Sequence, residues 1–473
     1  MEAITTTPDT MVPKKSPILT DLDPSYRSAW SVISAFKREV ARTPGSAPAH
    51  LAIERPDGSC FHHTINLLPH TSGYRFRNEQ IVERSLKFLL WMKGGSRIHF
   101  NGPKELANYL SATYSPKGER GFDNHFLGRR VFREPFQIIH HETRDTLPCV
   151  NSTESKLGGH LEGCRIGFDL GGSDRKTSAV IDGEVVFSEE IPWDPYFQED
   201  PNYHLEGIRH SLESAAKHLP RVDAIGGSAA GVYIDNEVRA ASLFRGVTDQ
   251  KVFDEQVRPI FKNLRKEWNN VPFDVINDGE VTALAAALSL KSDSILGIAM
   301  GTSQAAGYCN PSGNITPWLN ELAFAPIDLR SDAPVDEWSG DHGCGVQYFS
   351  QQAVARLAPA AGFDFGDMSY PLQLVEVQKA MKEGHPGAHS IFQTIGGYLG
   401  HTIPLYAHFY ELKHLLLLGR VLSGDGGQVI IDTATGILAN EYPDLGEKIS
   451  LSTPDEKLKR HGQAIAAASL PSL

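Results

Sequence analysis

The sequence predicts an α/β fold with a separate α+β domain in front of it. From residue 164 onward, apolar strands alternate with amphipathic helices, and turns of small residues follow several of the strands. Before residue 150 the pattern differs, and a polar, Gly-rich stretch over 150–160 separates the two parts. The predicted boundaries are a disordered tail over 1–20, an N-terminal α+β domain over 21–160, a first α/β domain over 161–280 together with a C-terminal helix over 453–473, and a second α/β domain over 281–452.

Composition restricts the class of protein. Of 473 residues, 41% are hydrophobic and 22% are charged, and the formal net charge is −12, so the chain should repel nucleic acid. No apolar run approaches the roughly 20 residues of a membrane helix, and the first residues contain no apolar signal core. We therefore expect a cytoplasmic protein that binds neither nucleic acid nor membrane. The cysteines show no CxxC spacing, which fits a reducing compartment; they are Cys60, Cys149, Cys164, Cys309 and Cys344.

The N-terminal domain reads as a mixture of helices and strands. A helix is expected near 24–42, followed by two strands around the turn Pro56-Asp57-Gly58. An apolar stripe predicts a helix over 77–93, and a short strand and another helix follow it. Phe88 and Trp91 on the helix over 77–93 could be exposed or could pack in a core.

The α/β part begins with a meander of three antiparallel strands, which turn at Gly171-Gly172 and at Asp182-Gly183. The later strands and helices follow in alternation. They are a helix near 203–218, a strand over 222–231, a helix near 250–268, a strand over 273–278 leading directly into a helix over 279–290, a strand over 294–301, a strand from 415 to 419 and a last helix near 454–468.

The stretch FDLGGSDRK, residues 168–176, has the residue types of a phosphate-binding turn. The amides of Gly171 and Gly172, the hydroxyl of Ser173 and the ammonium of Lys176 could contact phosphate oxygens. Asp169 could hold Mg²⁺ through a water molecule, because Mg²⁺ releases its waters reluctantly. A plain β-hairpin explains the same residues.

The stretch INDGEV places Asp278 between a strand and a helix. Transfer of a phosphoryl group to a hydroxyl needs a carboxylate that orients the hydroxyl and takes its proton. Asp278 is the candidate for this base, and Asn277 could bind a second substrate hydroxyl. A helix-capping aspartate is the alternative interpretation.

Two further turns follow buried strands. In AMGTSQAAG, Gly301, Thr302 and Ser303 could bind a phosphate, and an ordinary tight turn is the alternative. In LLLLGRVLSGDGG, Gly419 and Ser423 could border a nucleoside, and an ordinary strand–helix connection is the alternative.

In this order, the four stretches resemble the ROK family of repressors and sugar kinases over residues 164–473. DLGGS is similar to the family's DLGGT, and VINDGEVTALAAAL is similar to its NDAN segment. The resemblance implies an actin/hexokinase-like (ribonuclease H-like) ATPase fold, with two domains around a cleft that binds ATP and a sugar. It also implies sugar contacts at Gly231, in IGGSAAGVYI, and at Glu321.

The chain departs from the family pattern at its zinc site. The family's Glu-x-x-His segment is Glu321-Leu-Ala-Phe324 here, so the histidine is replaced by phenylalanine. Of the Cys-rich segment only Cys344 matches, although Asp341 and His342 lie beside it. We therefore expect no structural zinc.

The phosphate and adenosine loops also differ from the family. An insertion, Asp174-Arg175, follows the first turn, and Arg420 replaces a glycine in the adenosine loop. The resemblance implies a kinase that uses ATP and Mg²⁺ to phosphorylate a hydroxyl of a sugar or sugar derivative, and it leaves a homodimer open. Two alternatives remain: a protein that binds sugar or nucleotide without turnover, and a sugar-responsive repressor, which would need a helix-turn-helix ahead of the ATPase fold.

Overall fold

The computed structural model describes residues 21–151, 157–454 and 462–473. The predicted tail over 1–20, the middle of the predicted linker and the start of the predicted last helix lie outside these residues. In the part of the chain that is described, no helix is both long and apolar enough to span a bilayer.

The N-terminal unit is built on a four-stranded sheet with the order β2-β1-β3-β4. The predicted hairpin and helices are confirmed, whereas β4 was not predicted because it pairs in parallel with β3 across a helical connection and has no local turn signal. The elements are α1 (Ala29–Val40), β1 (Ala47–Glu54), β2 (Cys60–Leu67), α2 (Arg75–Lys93), β3 (Arg97–Asn101), α3 (Lys104–Thr113), α4 (Gly121–Asp123), a π-helical segment (Asn124–Phe132), β4 (Gln137–His141) and a 3₁₀ turn (Arg144–Thr146).

The first lobe of the α/β part contains a five-stranded sheet with the order β11-β8-β5-β6-β7. Its antiparallel meander, β5 to β7, is confirmed, and β8 and β11 extend the sheet in parallel with β5. The elements are β5 (Cys164–Leu170), β6 (Asp174–Ile181), β7 (Glu184–Pro192), α5 (Pro201–Ala216), β8 (Ala224–Ala229), β9 (Val232–Ile234), β10 (Glu237–Ala240), α6 (Gln250–Val252), α7 (Ile260–Glu267), β11 (Phe273–Asn277) and α8 (Asp278–Leu290).

The continuous helix predicted near 250–268 is wrong. The segment is α6, a π-helical turn over Phe253–Val257 and then α7, which begins after Pro259. Proline has no N–H to donate and its ring clashes with the preceding turn, so it ends one helix and begins the next.

The second lobe contains a four-stranded sheet with the order β13-β12-β14-β15. The stretch after Ser303, predicted as part of a loop, is strand β13 and pairs antiparallel with β12. The long helices between β13 and β14 were not predicted. The elements are β12 (Ile295–Met300), β13 (Gln304–Cys309), α9 (Gln351–Leu357), α10 (Tyr370–Lys382), α11 (Pro386–Phe409), β14 (His414–Leu418), α12 (Asp425–Glu441), α13 (Pro443–Gly446) and β15 (Ser450–Ser452), with 3₁₀ turns at Leu322–Phe324, Gly345–Gln347 and Arg420–Leu422. A further 3₁₀ turn, Ser242–Phe244, belongs to the first lobe.

The last helix, α14 (Gln463–Ala468), returns to the first lobe and packs on β5 and β8. Glycines in these strands permit the close approach. A Cβ atom at Gly226 would lie 1.7 Å from the carbonyl oxygen of Ala467, and one at Gly167 would lie 2.1 Å from that of Ala464.

The N-terminal unit and the second lobe share one apolar core, whereas the first lobe has a core of its own. Phe88 of α2 stacks on Phe409 of α11 with ring centroids 4.3 Å apart, and Trp91 packs at the same distance from Phe324. Both aromatic side chains of α2 are fully buried. The sequence left open whether they are exposed or pack in a core, and the structure shows that they pack in a core. The N-terminal unit therefore has its own sheet but contributes its apolar side chains to a joint core.

Candidate active site

The parallel strands β5, β8 and β11 end side by side. Leu170 is opposite Ala229, and Ala229 is opposite Asn277. Asp169 and Asp278 therefore lie at the same carboxyl edge of the first sheet, which is where open α/β sheets bind ligands.

Asp169 is held by the neighbouring strand. The buried hydroxyl of Ser228 donates a hydrogen bond of 2.6 Å to its Oδ1. Burial raises the pKa of Asp169, while the bond from Ser228 and the charge of Lys176 oppose the increase. The carboxylate is thus fixed in position and keeps its second oxygen for another ligand.

Asn277, rather than Asp278, is the residue that caps α8. Its Oδ1 accepts from the Gly279 amide at 2.8 Å, and its Nδ2 donates to the carbonyl oxygen of Gly231 at 2.8 Å. The structure thus joins two of the predicted sugar-binding residues, Asn277 and Gly231, in one hydrogen-bonded pair.

Asp278 is the first residue of α8, and its Oδ1 accepts from the Gly279 amide at 2.9 Å. Burial, and then the negative charge of Asp169, raise its pKa to about 6. A carboxylate with a pKa closer to neutrality is a better proton acceptor than an ordinary aspartate.

Glu321 comes from the loop after β13 and lies within electrostatic range of Asp278. Burial and the charge of Asp278 raise its pKa to about 7. Its amide donates to the carbonyl oxygen of Trp91 at 2.9 Å, so the N-terminal unit fixes this part of the site.

Glu280 is a fourth acid in this region and was not predicted. Burial is the main cause that raises its pKa to about 8, and the charge of Glu321 adds to the shift. Asn320 Nδ2 lies 3.4 Å from Glu280 Oε1. In the sequence INDGEV an acidic residue, Glu280, follows Asp278 by two positions. This pattern does not by itself indicate a site residue, because acidic residues are common in the first turn of a helix.

The first predicted phosphate turn is a β-hairpin whose donors are already engaged. The Gly171 amide donates to the carbonyl oxygen of Asp174 at 3.0 Å. Ser173 Oγ donates to Asp174 Oδ2 at 2.8 Å, and Lys176 Nζ lies 3.5 Å from Asp174 Oδ1. The inserted Asp174 therefore contacts the two side chains that were predicted to bind phosphate.

Tyr196 lies directly against the same turn. A Cβ atom at Gly172 would lie 1.9 Å from the Tyr196 hydroxyl oxygen, so only glycine fits beneath this ring. The guanidinium of Arg245 lies over the Tyr196 ring, 4.1 Å from its centroid. Tyr196 and Arg245 are thus neighbours of the turn that sequence patterns did not indicate.

The second predicted phosphate turn and the predicted adenosine loop lie side by side. Strands β12 and β14 are parallel, with Ala299 opposite Leu418. At Gly419 φ is +98°, and a Cβ atom would lie 2.5 Å from the Met300 carbonyl oxygen, so the close approach requires glycine. Gly301 closes a tight turn, and the side chains of Thr302 and Ser303 are exposed on it.

Ser423 borders a small cavity of about 110 Å³ between α10 and the start of α12. Gln378 Nε2 closes one side by donating to the carbonyl oxygens of Arg420 and Ser423, at 2.8 and 3.1 Å. A larger cavity, of about 510 Å³, lies near His414 at the amino end of β14, and no predicted site residue is among the described residues that line it.

The residues at the family's zinc position do not fit a zinc ion. Phe324 has no donor atom, Cys344 is the only thiol of its segment, and the carboxylate of Asp341 is paired with Arg84, Lys87 and Arg120. Within 21–151, 157–454 and 462–473, no three His, Cys, Asp or Glu side chains converge in a metal-binding arrangement.

Comparison with solved structures confirms the fold class: residues of this chain form the ROK type of actin/hexokinase-like fold. The chain is similar to a ROK hexokinase from Thermus thermophilus, with a TM-score of 0.52, 19% identity, and coverage of 65% of this chain and 97% of that one. It is also similar to a ROK family transcriptional regulator, a homolog of the E. coli MLC protein, with a TM-score of 0.50, 18% identity, and coverage of 66% and 79%.

A ROK family glucokinase from Streptomyces griseus, in complex with glucose and AMPPNP, matches with a TM-score of 0.48, 20% identity, and coverage of 65% of this chain and 99% of that one. No protein-family model and no curated protein sequence matches the chain. The matches to the hexokinase and to the transcriptional regulator each cover about two thirds of this chain.

Proposed function

We propose that this protein phosphorylates a hydroxyl group of a sugar or sugar derivative, with ATP and Mg²⁺ as cofactors. One observation carries the proposal. Asp169, Asp278 and Glu321 come from three separate segments, and their charges interact at the carboxyl edge of the first sheet. An acid to hold Mg²⁺, an acid to take a proton and an acid to bind a substrate hydroxyl are what phosphoryl transfer to an alcohol requires.

Asp278 acts as the general base in this proposal. Its carboxylate accepts the proton of the acceptor hydroxyl as the new oxygen–phosphorus bond forms and the bond between the terminal phosphate and ADP breaks. Asn277, which is fixed by its bond to Gly231, and Glu321 orient the sugar. With a pKa of about 6, Asp278 is ionised at neutral pH and ready to accept the proton.

The chain's own residues suit the two cofactors. Asp169 offers a hard oxygen ligand, fixed by Ser228, that can hold Mg²⁺ through water. Gly171, Gly172, Ser173 and Lys176 on one turn, and Gly301, Thr302 and Ser303 on the other, are the proposed phosphate contacts, with Gly419 and Ser423 beside the nucleoside. Bound Mg²⁺ would neutralise charge on the phosphate oxygens.

The test is a survey of sugars with ATP and Mg²⁺, followed by Asp278→Asn on the best acceptor. We expect kcat to fall by about 10²-fold or more, since general base catalysis contributes about that much. We also expect wild-type kcat to fall as the pH decreases through about 6, because Asp278 becomes protonated.

The matched control is Asp367→Asn, which changes the charge equally at an exposed position and should leave kcat unchanged. Full activity of a folded Asp278→Asn variant would show that the assigned base is wrong.

A protein that binds its ligand without turnover is the second candidate. The engagement of Ser173 and Lys176 by Asp174, and the position of Tyr196 over Gly172, favour it. Calorimetric titration with Mg²⁺ and a nonhydrolysable ATP analogue, on the wild type and on Asp169→Ala, separates the two candidates. Sugar binding without nucleotide binding or turnover would support the second.

A repressor would need a helix-turn-helix ahead of the ROK fold, and the described residues 47–141 contain a four-stranded sheet with helices between its strands. The small-molecule sugar partner, the homodimer and the cytoplasmic location stay predictions. All five cysteines are free thiols.

A further inference from the structure

One face of helix α2 contacts two segments of the second lobe, which are the two that carry the zinc ligands in the ROK family pattern. Arg84, Lys87 and Trp91 follow each other at spacings of three and four residues, so they lie on the same side of the helix. Their partners are Asp341, in the former Cys-rich segment, and Phe324, at the family's histidine position.

Asp341 is fully enclosed by cations of the N-terminal unit. Its carboxylate lies 2.6 Å from Lys87 Nζ, 2.9 Å from an Arg84 guanidinium nitrogen and 3.0 Å from one of Arg120. The side chain of Lys87 is 0% exposed and that of Asp341 is 3% exposed. The buried network balances its charge, with three cations and three acids: Arg84, Lys87 and Arg120, and Glu83, Asp123 and Asp341.

Trp91 fixes the loop that carries Glu321. Its ring packs on Phe324 at 4.3 Å, and its indole N–H donates to Asp123 of the same buried network. The carbonyl oxygens of Trp91 and Met92 accept from the amides of Glu321 and Asn320, at 2.9 and 3.0 Å. The end of α2 is thus the surface on which this loop rests.

Other groups of the N-terminal unit hold the preceding residues of the same loop. The guanidinium of Arg55 donates to the carbonyl oxygen of Pro317, and the ammonium of Lys93 lies over the ring of Trp318. A Cβ atom at Gly94 would lie 2.8 Å from Leu319, so the chain packs closely here as well.

We infer that helix α2 replaces the structural zinc of the ROK fold: Arg84 and Lys87 hold the segment of Asp341, and Trp91 is a positioning residue for the Glu321 loop. A zinc ion joins two segments through their donor atoms. Here an ion network joins α2 to one segment, and ring packing with two backbone hydrogen bonds joins it to the other. The part of this inference that concerns the acceptor rests on the proposed function, whereas the fixing of the loop does not.

The first experiment measures hydrogen exchange of the Asn320 and Glu321 amides by mass spectrometry, without any substrate. Trp91→Ala should speed their exchange about tenfold or more, because the surface under the loop is lost. Val82→Ala is the matched control, since Val82 is fully buried on the opposite side of α2. It should leave these two amides unchanged.

If Trp91→Ala does not fold, Trp91→Phe serves instead: it keeps a ring on Phe324 but loses the bond to Asp123, and should speed exchange by a smaller factor. Equal exchange in the Trp91 and Val82 variants would overturn the inference. Because no turnover is measured, this result does not depend on whether the protein is a kinase.

The second experiment measures zinc content and the effect of a chelator. We expect the purified protein to contain far less than one zinc per chain and to unfold at the same temperature with and without EDTA. Stoichiometric zinc that is lost together with stability in Cys344→Ser would overturn the inference. Given turnover, Trp91→Phe should raise KM for the sugar but not for ATP, whereas equal changes in both would contradict a positioning role.

Discussion

The acids of the cleft differ in protonation because each has a different environment. At neutral pH, Asp278, with a pKa of about 6, is ionised, while Glu280, with a pKa of about 8, keeps its proton. Burial and the charge of Asp278 raise the pKa of Glu321 to about 7, between those of the other two. A region with several carboxyl groups therefore contains both a proton acceptor and neutral acids that can donate hydrogen bonds.

Glu280→Gln should change how stability depends on pH. Because the folded-state pKa of Glu280 is raised from 4.5 to about 8, its contribution to stability is full below about pH 4.5 and is lost as the pH rises to 8. Between pH 5 and pH 8, the free energy of unfolding of the variant should increase by roughly 2–4 kcal/mol relative to that of the wild type. Urea unfolding at both pH values measures the difference, and Glu447→Gln, at an exposed position, is the control. If the stabilities of the wild type and of Glu280→Gln changed equally between the two pH values, the prediction would be wrong.

Asp174→Asn should strengthen nucleotide binding. The Asp174 carboxylate repels phosphate and occupies Ser173 and Lys176. Removing a unit charge near a surface phosphate should lower Kd for Mg²⁺ and a nonhydrolysable ATP analogue about three- to tenfold. The control is Asp182→Asn, in the other turn of the same meander, and calorimetry is the measurement. Unchanged or weaker binding would mean that this turn does not face the phosphates.

At the scale of elements, the strands that carry the site depend on close approaches that only glycine permits. Strands β5 and β8 present Gly167 and Gly226 to the C-terminal helix α14, which lies on them at backbone contact. Helix α14 thereby covers the strands that carry Asp169 and Ser228, so its packing stabilises the edge of the sheet at which these two residues lie.

Gly226→Ala should destabilise the protein by about 2–3 kcal/mol, because the added methyl group would meet the backbone of Ala467, which cannot move away as a side chain can. Gly73→Ala is the control, since nothing lies within 4 Å of a Cβ atom there and its φ is not positive. Chemical denaturation measures both variants. If the two variants were equally stable, helix α14 would be able to move away from the added methyl group at little cost.

At the scale of the whole molecule, the N-terminal unit is an integral part of the second lobe. The two parts share a core that includes Phe88 and Trp91 on one side and Phe324 and Phe409 on the other. The same contact positions the Glu321 loop. A unit that looks like an addition in the sequence therefore supports the candidate site.

A chain that starts at residue 157 should fail to fold to a stable monomer, because it would expose the second lobe's half of the joint core to water. We expect aggregation, or binding of a hydrophobic dye without a cooperative thermal transition. A control chain that starts at residue 21 should retain the full transition. A stable, cooperative monomer from 157 onward would show that the joint core is dispensable.

The sequence alone determined the fold class and many of its elements. Alternation of strands and helices after residue 164, Gly171-Gly172 and Asp182-Gly183 predicted the meander and the strands that follow it, since turn chemistry and periodicity are local properties. The two predicted phosphate turns are β-hairpin turns, and their roles, like those of Asp169 and Asp278, stay predictions.

The tertiary structure decided which residues meet. Local patterns could not reveal that Glu280 is buried beside Glu321 or that Lys87 meets Asp341, because the environment of each depends on segments far away in the chain. Strand β4 was missed for the same reason, since it exists through pairing with a distant strand. The break at Pro259 follows instead from the local chemistry of proline. The sequence thus indicated the chemistry of the candidate site, and only the packing of α2 against the second lobe identified what supports it.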